Sequence, residues 1–257
     1  MIKIAILDTG IDTNHKQLKK YIDFDFSKSF TDESIKDYYG HGTAIAGVIV
    51  YDGLFEDKKK DIQIVVCKIT NEMVFKVITF IKAFEYAIEL NVNIINLSLS
   101  IYTSLITKGQ KKRIKELINI AYKKNIIVVA SSGNRNQEDN IFNQYTDNIF
   151  VVIAKDIYGN IASYSKSVNN AYSVFGGDIN NIIDYSKIEN YLVVSTFPEY
   201  LEDDYFNLFG VPKGYSYYWG TSIATARFTY KIIKVYQKCN GFNKENKKSL
   251  DIYKVTV

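Results

Sequence analysis

Several residue types are scarce in this sequence, and each scarcity removes a class of explanation. Cysteine occurs twice, at Cys67 and Cys239. Two cysteines make no disulfide framework, and so low a count fits a reducing compartment. Cys67 lies in the run "IQIVVCKI", where it reads as a small core residue on a buried strand. Proline occurs only at Pro198 and Pro212, and no Pro/Gly/Ser-rich linker or internal repeat divides the chain. No window approaches the about 20 apolar residues that span a bilayer. The opening stretch "IKIAIL" is too short for a secretory h-region and runs straight into Asp8, so reading from Met1 places the protein in the cytosol. Neither sign of charge dominates: 32 Lys and Arg against 28 Asp and Glu give a net charge of +4. That bias is too weak to argue for a nucleic-acid or membrane partner. The Lys58–Lys60 run and the Lys111–Lys115 cluster read as solvated faces.

What is present is 257 residues, enough for one sizeable core. Short β-rich runs alternate with helical patterns. Strands are expected at Ile2–Leu7, Ile62–Ile69, Asn93–Ser98, Ile126–Ser131, Ile149–Ile153 and Tyr191–Ser195. Several are continuous Val/Ile runs, as parallel strands covered on both faces require. Helices are expected near Gly42–Val50, Val74–Leu90, Arg113–Lys124 and Ser222–Gln237. In the second, Phe80, Ile81, Phe84 and Ile88 recur at helical spacing. This alternation predicts an α/β fold, a doubly wound and mostly parallel sheet between helices. The segment Phe197–Tyr218, rich in Tyr, Phe and acids, has no clear period and reads as a long surface connection or insertion. A domain over residues 1–240 is expected to end in a Lys-rich tail, 241–257, that frays.

Chemistry-bearing residues fall at the ends of these elements. Asp8 directly follows the first strand, Ser98 ends a middle one in "IINLSLS", and Asn134 follows another in "VVASSGN". Groups past the carboxyl ends of parallel strands share one edge, where ligands bind. His41 in "GHGTAIAGVI" and Ser222 in "GTSIATA" sit where glycine-containing turns open helices. Glycine lets the backbone turn sharply and approach a ligand. A serine in the first helical turn lies among free N–H groups at the positive end of the helix dipole. A neutral hydroxyl is a weak nucleophile and needs a base within reach. Histidine can take and return that proton. Asp8 would then fix the tautomer of His41 and stabilise its imidazolium. The Asn134 amide and the Ser222 N–H could donate to a tetrahedral oxyanion.

The segments "ILDTGID", "HGTAIAG", "INLSLS", "SSGN" and "GTSIATA" occur in the order found in subtilisin-like serine peptidases, and the chain resembles that family from about Ile2 to Tyr236. The resemblance implies a three-layer α/β/α architecture and endoproteolysis through Asp8, His41, Ser222 and Asn134. It also implies that Ser98, Leu99 and Ser100, with Ala130, Ser131, Ser132 and Gly133, flank the primary specificity pocket and pair with an extended peptide substrate.

There are departures from the family pattern. Ala44 replaces a second histidine, and Ala226 and Arg227 replace a Pro-His pair. Ser100 stands for glycine in the pocket wall, so its preference does not carry over. The chain begins at the first strand, without the preceding residues that help many secreted members bind calcium. No cofactor, calcium ion or other metal is therefore expected. The acids Glu202, Asp203 and Asp204 read as a solvated loop, while Glu138 and Asp139 suggest a basic residue before the cleaved bond. His15 reads as structural. "DTG" at Asp8–Gly10 also matches the aspartic-peptidase triplet, but that chemistry needs a second copy, and none exists. Lacking a signal, the enzyme is expected to process a dedicated peptide, such as a leader. The rival readings are a catalytically silent scaffold on the same fold and an esterase.

Overall fold

The computed structural model describes residues 1–52, 61–72, 74–134, 139–202, 209–239, 241 and 247–255. The Lys58–Lys60 run, Glu138, Asp203 and Asp204 lie outside the described residues.

Seven strands form one parallel sheet: β1 (Ile2–Asp8), β2 (Lys28–Ser29), β3 (Ile62–Lys68), β4 (Ile94–Leu97), β5 (Ile127–Ser131), β6 (Phe150–Lys155) and β7 (Tyr172–Phe175), in the order β2-β3-β1-β4-β5-β6-β7. Helix α1 (His41–Tyr51) and the last helix, α5 (Thr221–Lys238), cover one face. Helices α2 (Val77–Glu89) and α3 (Lys108–Lys123) cover the other. A one-turn helix, α4 (Ile188–Tyr191), precedes the short strand β8 (Val193–Thr196).

The alternation along β1 accounts for the layers. Ile2, Ile4 and Ile6 pack towards α1 and α5 with Ile45, Ile49 and Phe228. Ala5 and Leu7 pack towards α2 and α3 with Phe80, Phe84 and Leu117. A strand apolar on both sides is stable only when both faces are covered. Each fully buried Ile, Leu or Phe contributes about 1.5–3 kcal/mol of transfer free energy. Cys67 is buried in the second layer, and burial pushes its thiol up to about 12.

The sheet departs from expectation at its margins. β8 does not join it; Val193–Thr196 pairs antiparallel with β9 (Tyr215–Tyr218) in a separate two-stranded sheet. Its place at the far edge is taken by β7, whose four residues are too few to stand out as a run. Helix α3 begins at Lys108, earlier than Arg113, because Thr107 and Gln110 form a capping box at its polar first turn. The C-terminal segment also returns to the body. Leu250 is buried, and Val255 N–H donates to the Ala171 carbonyl at 2.8 Å.

This topology locates the site. β1 is flanked by β3 on one side and β4 on the other, so the order reverses between β1 and β4. In open α/β sheets the crevice at such a switch point is where ligands bind.

Candidate active site

Asp8 is the last residue of β1, and its Oδ1 lies 2.7 Å from His41 Nδ1. A carboxylate can only accept, so Nδ1 carries the proton and Nε2 is left as an acceptor. Thr9 N–H donates to the same Oδ1 at 2.8 Å. The Asp8 side chain is 5% exposed and that of His41 28%. Burial alone would lower the His41 pKa. The charge and hydrogen bond of Asp8, with the charge of Asp37 behind them, outweigh burial and raise it above the ordinary 6.5.

The backbone brings this pair together. His41 is the first residue of α1, after Gly40 at φ 100°. A Cβ on Gly42 would lie 2.2 Å from the Gly10 carbonyl oxygen and 3.2 Å from Asp8 Cβ. Only glycine lets the first turn of α1 sit this close to the end of β1. From the other side, Ser195 and Thr196 hydroxyls on β8 donate to the Ala44 and Thr43 carbonyls at 2.7 Å each.

Ser222 is the second residue of α5, two residues after Gly220 at φ 138°. Its Oγ donates to the Ser98 carbonyl at 2.9 Å. Ser98 Oγ in turn donates to the Ser222 carbonyl at 2.9 Å and accepts from Asn96 Nδ2 at 2.9 Å. Ile6 pairs with Asn96 across β1 and β4; continuing that register two residues sets Asp8 beside Ser98. The hydrogen-bonded Asp8–His41 pair and the Ser98–Ser222 pair are therefore both carried at the carboxyl ends of the neighbouring strands β1 and β4. The row is closed between Asp8 and His41, while the Ser222 hydroxyl is turned towards β4. Catalytic hydrogen bonds in unliganded sites are often open in this way and tighten only around substrate.

Asn134 follows β5 and reaches the same helix end. Thr221 donates to its Oδ1 from the backbone N–H at 2.9 Å and from Oγ1 at 2.6 Å. Two donors on the amide oxygen fix the orientation of the group, leaving Nδ2 as the outward donor beside the first turn of α5. If the site hydrolyses peptides, as the motif resemblance implies, Asn134→Ala is expected to lower kcat by about 10²–10³-fold with little change in KM. Steady-state kinetics on a peptide substrate checks this.

The two segments expected to flank a pocket lie side by side. Ser131 Oγ donates to the Leu99 carbonyl at 2.7 Å. The carbonyls of Ser131, Ser132 and Gly133 accept from Asn140 Nδ2, Asn143 Nδ2 and Lys166 N–H. The Ser98 carbonyl holds the Ser222 hydroxyl. Asp139 is already paired with Lys166 at 3.3 Å. His15 is buried away from the row; Gln17 N–H donates to its Nδ1 and its Nε2 donates to the Gly214 carbonyl.

The model of the subtilase family matches residues 1–253. The chain belongs to that family. Over 149 residues this subtilase is 32% identical to the major intracellular serine protease of Bacillus subtilis (strain 168), covering 54% of the chain and 44% of that protein. Over 222 residues it is 26% identical to the epidermin leader peptide-processing serine protease EpiP of Staphylococcus epidermidis, covering 77% of the chain and 45% of that protein. The matched region spans less than half the length of these relatives. Among solved structures, a lanthipeptide protease superposes with a TM-score of 0.82 at 23% identity over 98% of the subtilase and 78% of that chain. The nisin leader peptidase NisP of Lactococcus lactis superposes at 0.75 and 19%, over 100% and 83%. Both likenesses are of fold. No helix among the described residues is long and apolar enough to cross a membrane.

The motifs did not point to Asp37, Thr9 or Thr221. Thr221 is adjacent to the nucleophile candidate, and its two bonds to Asn134 depend on a meeting 87 residues apart in sequence. Asp37 and Thr9 bond to backbone N–H groups and to threonine hydroxyls, neither of which forms a recognisable sequence pattern.

Proposed function

We propose that this subtilase is a serine endopeptidase acting through an acyl-enzyme on Ser222. The observation that supports the reading is the Asp8–His41 bond at the end of β1, with Ser222 in the first turn of α5 and bonded to Ser98 just past the neighbouring strand β4. As substrate binds, the Ser222 hydroxyl leaves the Ser98 carbonyl and turns to His41 Nε2. Oγ attacks the peptide carbonyl as its proton passes to Nε2. The oxyanion takes hydrogen bonds from the Ser222 N–H and Asn134 Nδ2. His41 then gives the proton to the leaving amine, and the C–N bond breaks. Water repeats the sequence on the ester, and the Ser222 hydroxyl is restored. The proposed chemistry needs no cofactor.

The substrate we propose is an extended segment of a dedicated precursor peptide. Relatives and structural neighbours named for leader-peptide processing support this. The likeness to a major intracellular serine protease supports a cytoplasmic location. A fluorophosphonate is expected to label the folded protein once, on Ser222. Turnover of a peptide amide, and not only of a simple ester, is expected beside it. Folded protein that resists the label would favour the silent scaffold; turnover of esters alone would favour the esterase.

A further inference from the structure

We infer that Asp37 is a second carboxylate serving His41, a positioning residue that sets the base through the first turn of α1. The inference rests on the peptidase reading of the row.

Asp37 lies four residues before His41 and is 0% exposed. Its carboxylate collects five donors. Oδ1 accepts from Thr9 Oγ1 at 2.8 Å, Tyr39 N–H at 3.0 Å and Gly40 N–H at 2.8 Å, and Oδ2 from Thr43 N–H at 2.9 Å and Thr43 Oγ1 at 2.7 Å. Gly40 caps α1 with no side chain of its own, so Asp37 supplies the anionic cap from outside the helix. Thr9 closes the ring: its Oγ1 accepts from Gly42 N–H at 2.9 Å, and its N–H donates to Asp8 Oδ1. The two carboxylates are thus joined through one residue, Thr9. One touches the imidazole, and the other holds the backbone on both sides of it.

A plain helix cap could be neutral. The five donors compensate the burial of this carboxylate, and a charge held there acts on what lies nearby. The groups facing it on every side are few. Two cations are nearby: the Lys36 ammonium lies 4.0 Å from the Tyr200 ring centroid, and the fully buried Lys68 of β3, paired in register with Asp8, donates to the Lys36 carbonyl and lies 3.9 Å from Glu33. Tyr200 OH donates to the Asp37 carbonyl at 2.7 Å, and Tyr38 lies over the Lys68 ammonium. Asp12 N–H donates to Thr43 Oγ1, and the Asp12 carboxylate accepts from Glu199 N–H. The charge of Asp37 therefore reaches His41 directly as well as through the ring of bonds.

The test is Asp37→Asn, which keeps the shape and removes the charge. His41 and His15 are the only histidines, so both imidazoles can be followed by NMR without any activity, the His41→Ala spectrum assigning them. The His41 titration is expected to move down, because a nearby buried charge that favours the imidazolium is lost. The acid limb of Ser222 phosphonylation should move with it. An unmoved His41 titration in folded Asp37→Asn overturns the proposal. Wild-type protein that takes no fluorophosphonate would sink the peptidase reading instead, and the NMR result would stand apart from it. If Asn is not tolerated, Thr9→Val is read in its place, since it cuts the bridge and keeps the charge. Phosphonylation about tenfold slower, restored by Thr9→Ser, supports the proposal; a wild-type rate in Thr9→Val overturns it.

Discussion

Ser222→Ala and His41→Ala are each expected to lower kcat by about 10⁶-fold, and the double variant by no more. The reason is that in the proposed mechanism the two groups perform one act. Without His41 the Ser222 proton has nowhere to go, and the hydroxyl remains on the Ser98 carbonyl, 2.9 Å away. Without Ser222 the imidazole has no proton to take. Residual turnover would come from the Asn134 amide, the Ser222 N–H and substrate binding. Stability should respond differently. Ser222→Ala removes one hydrogen bond to the Ser98 carbonyl just past β4, worth about 0.5–1.5 kcal/mol. His41→Ala leaves a carboxylate that is 5% exposed with Thr9 N–H as its remaining partner, so it should destabilise more. Steady-state kinetics on one peptide, with thermal melts of all three variants, reads both effects. Losses that multiply in the double variant would show that the groups do not act as a unit.

The Asp8–His41 pair was legible in sequence because a buried carboxylate on an imidazole is chemistry that few residue types perform. Asp8, His41 and Ser222 stand at element ends, and the elements announce themselves: β1, β3 and β5 are Val/Ile runs, and α1 and α5 open on glycine. What could not be read is held by groups that any residue carries. Asp37 works on the backbone N–H groups of Tyr39, Gly40 and Thr43, so "KDYYGHG" looks like a solvated turn. β9 lies in a Tyr-rich stretch whose register depends on β8. The turn of the Ser222 hydroxyl towards Ser98 is a rotamer, which no motif encodes. The tail looked free because it is Lys-rich, but Leu250 anchors it and Tyr253 meets Phe228 edge-on at 6.0 Å. One apolar contact can outweigh the polar composition around it.

Asp8→Asn is expected to lower kcat by about 10⁴-fold while leaving the backbone in place. The native carboxylate accepts from His41 Nδ1 and from Thr9 N–H on the same oxygen. An amide that keeps the Thr9 bond must place its oxygen there and can then offer only its NH₂ elsewhere; an amide that turns its NH₂ towards His41 forces the proton onto Nε2. The second arrangement removes the base, because Nε2 is the atom that must receive the Ser222 proton. Either way the imidazolium loses its counter-charge. The pH dependence follows with a definite sign. In the wild type, Asp8 and Asp37 raise the His41 pKa against burial. Catalysis needs the neutral ring, so kcat/KM should climb with pH through a midpoint above 6.5, the ordinary value. Folded protein also binds a proton at His41 that unfolded protein has released. That contribution to stability is full below the unfolded value and is lost as pH rises through the folded one. In Asp8→Asn burial is no longer outweighed by a touching carboxylate, so both the kinetic limb and the stability gain on the acid side should shift to lower pH. Melts and pH–rate profiles of the two proteins test this together. A kinetic limb that stays in place after Asp8→Asn would mean that the titrating group is not the imidazole beside it.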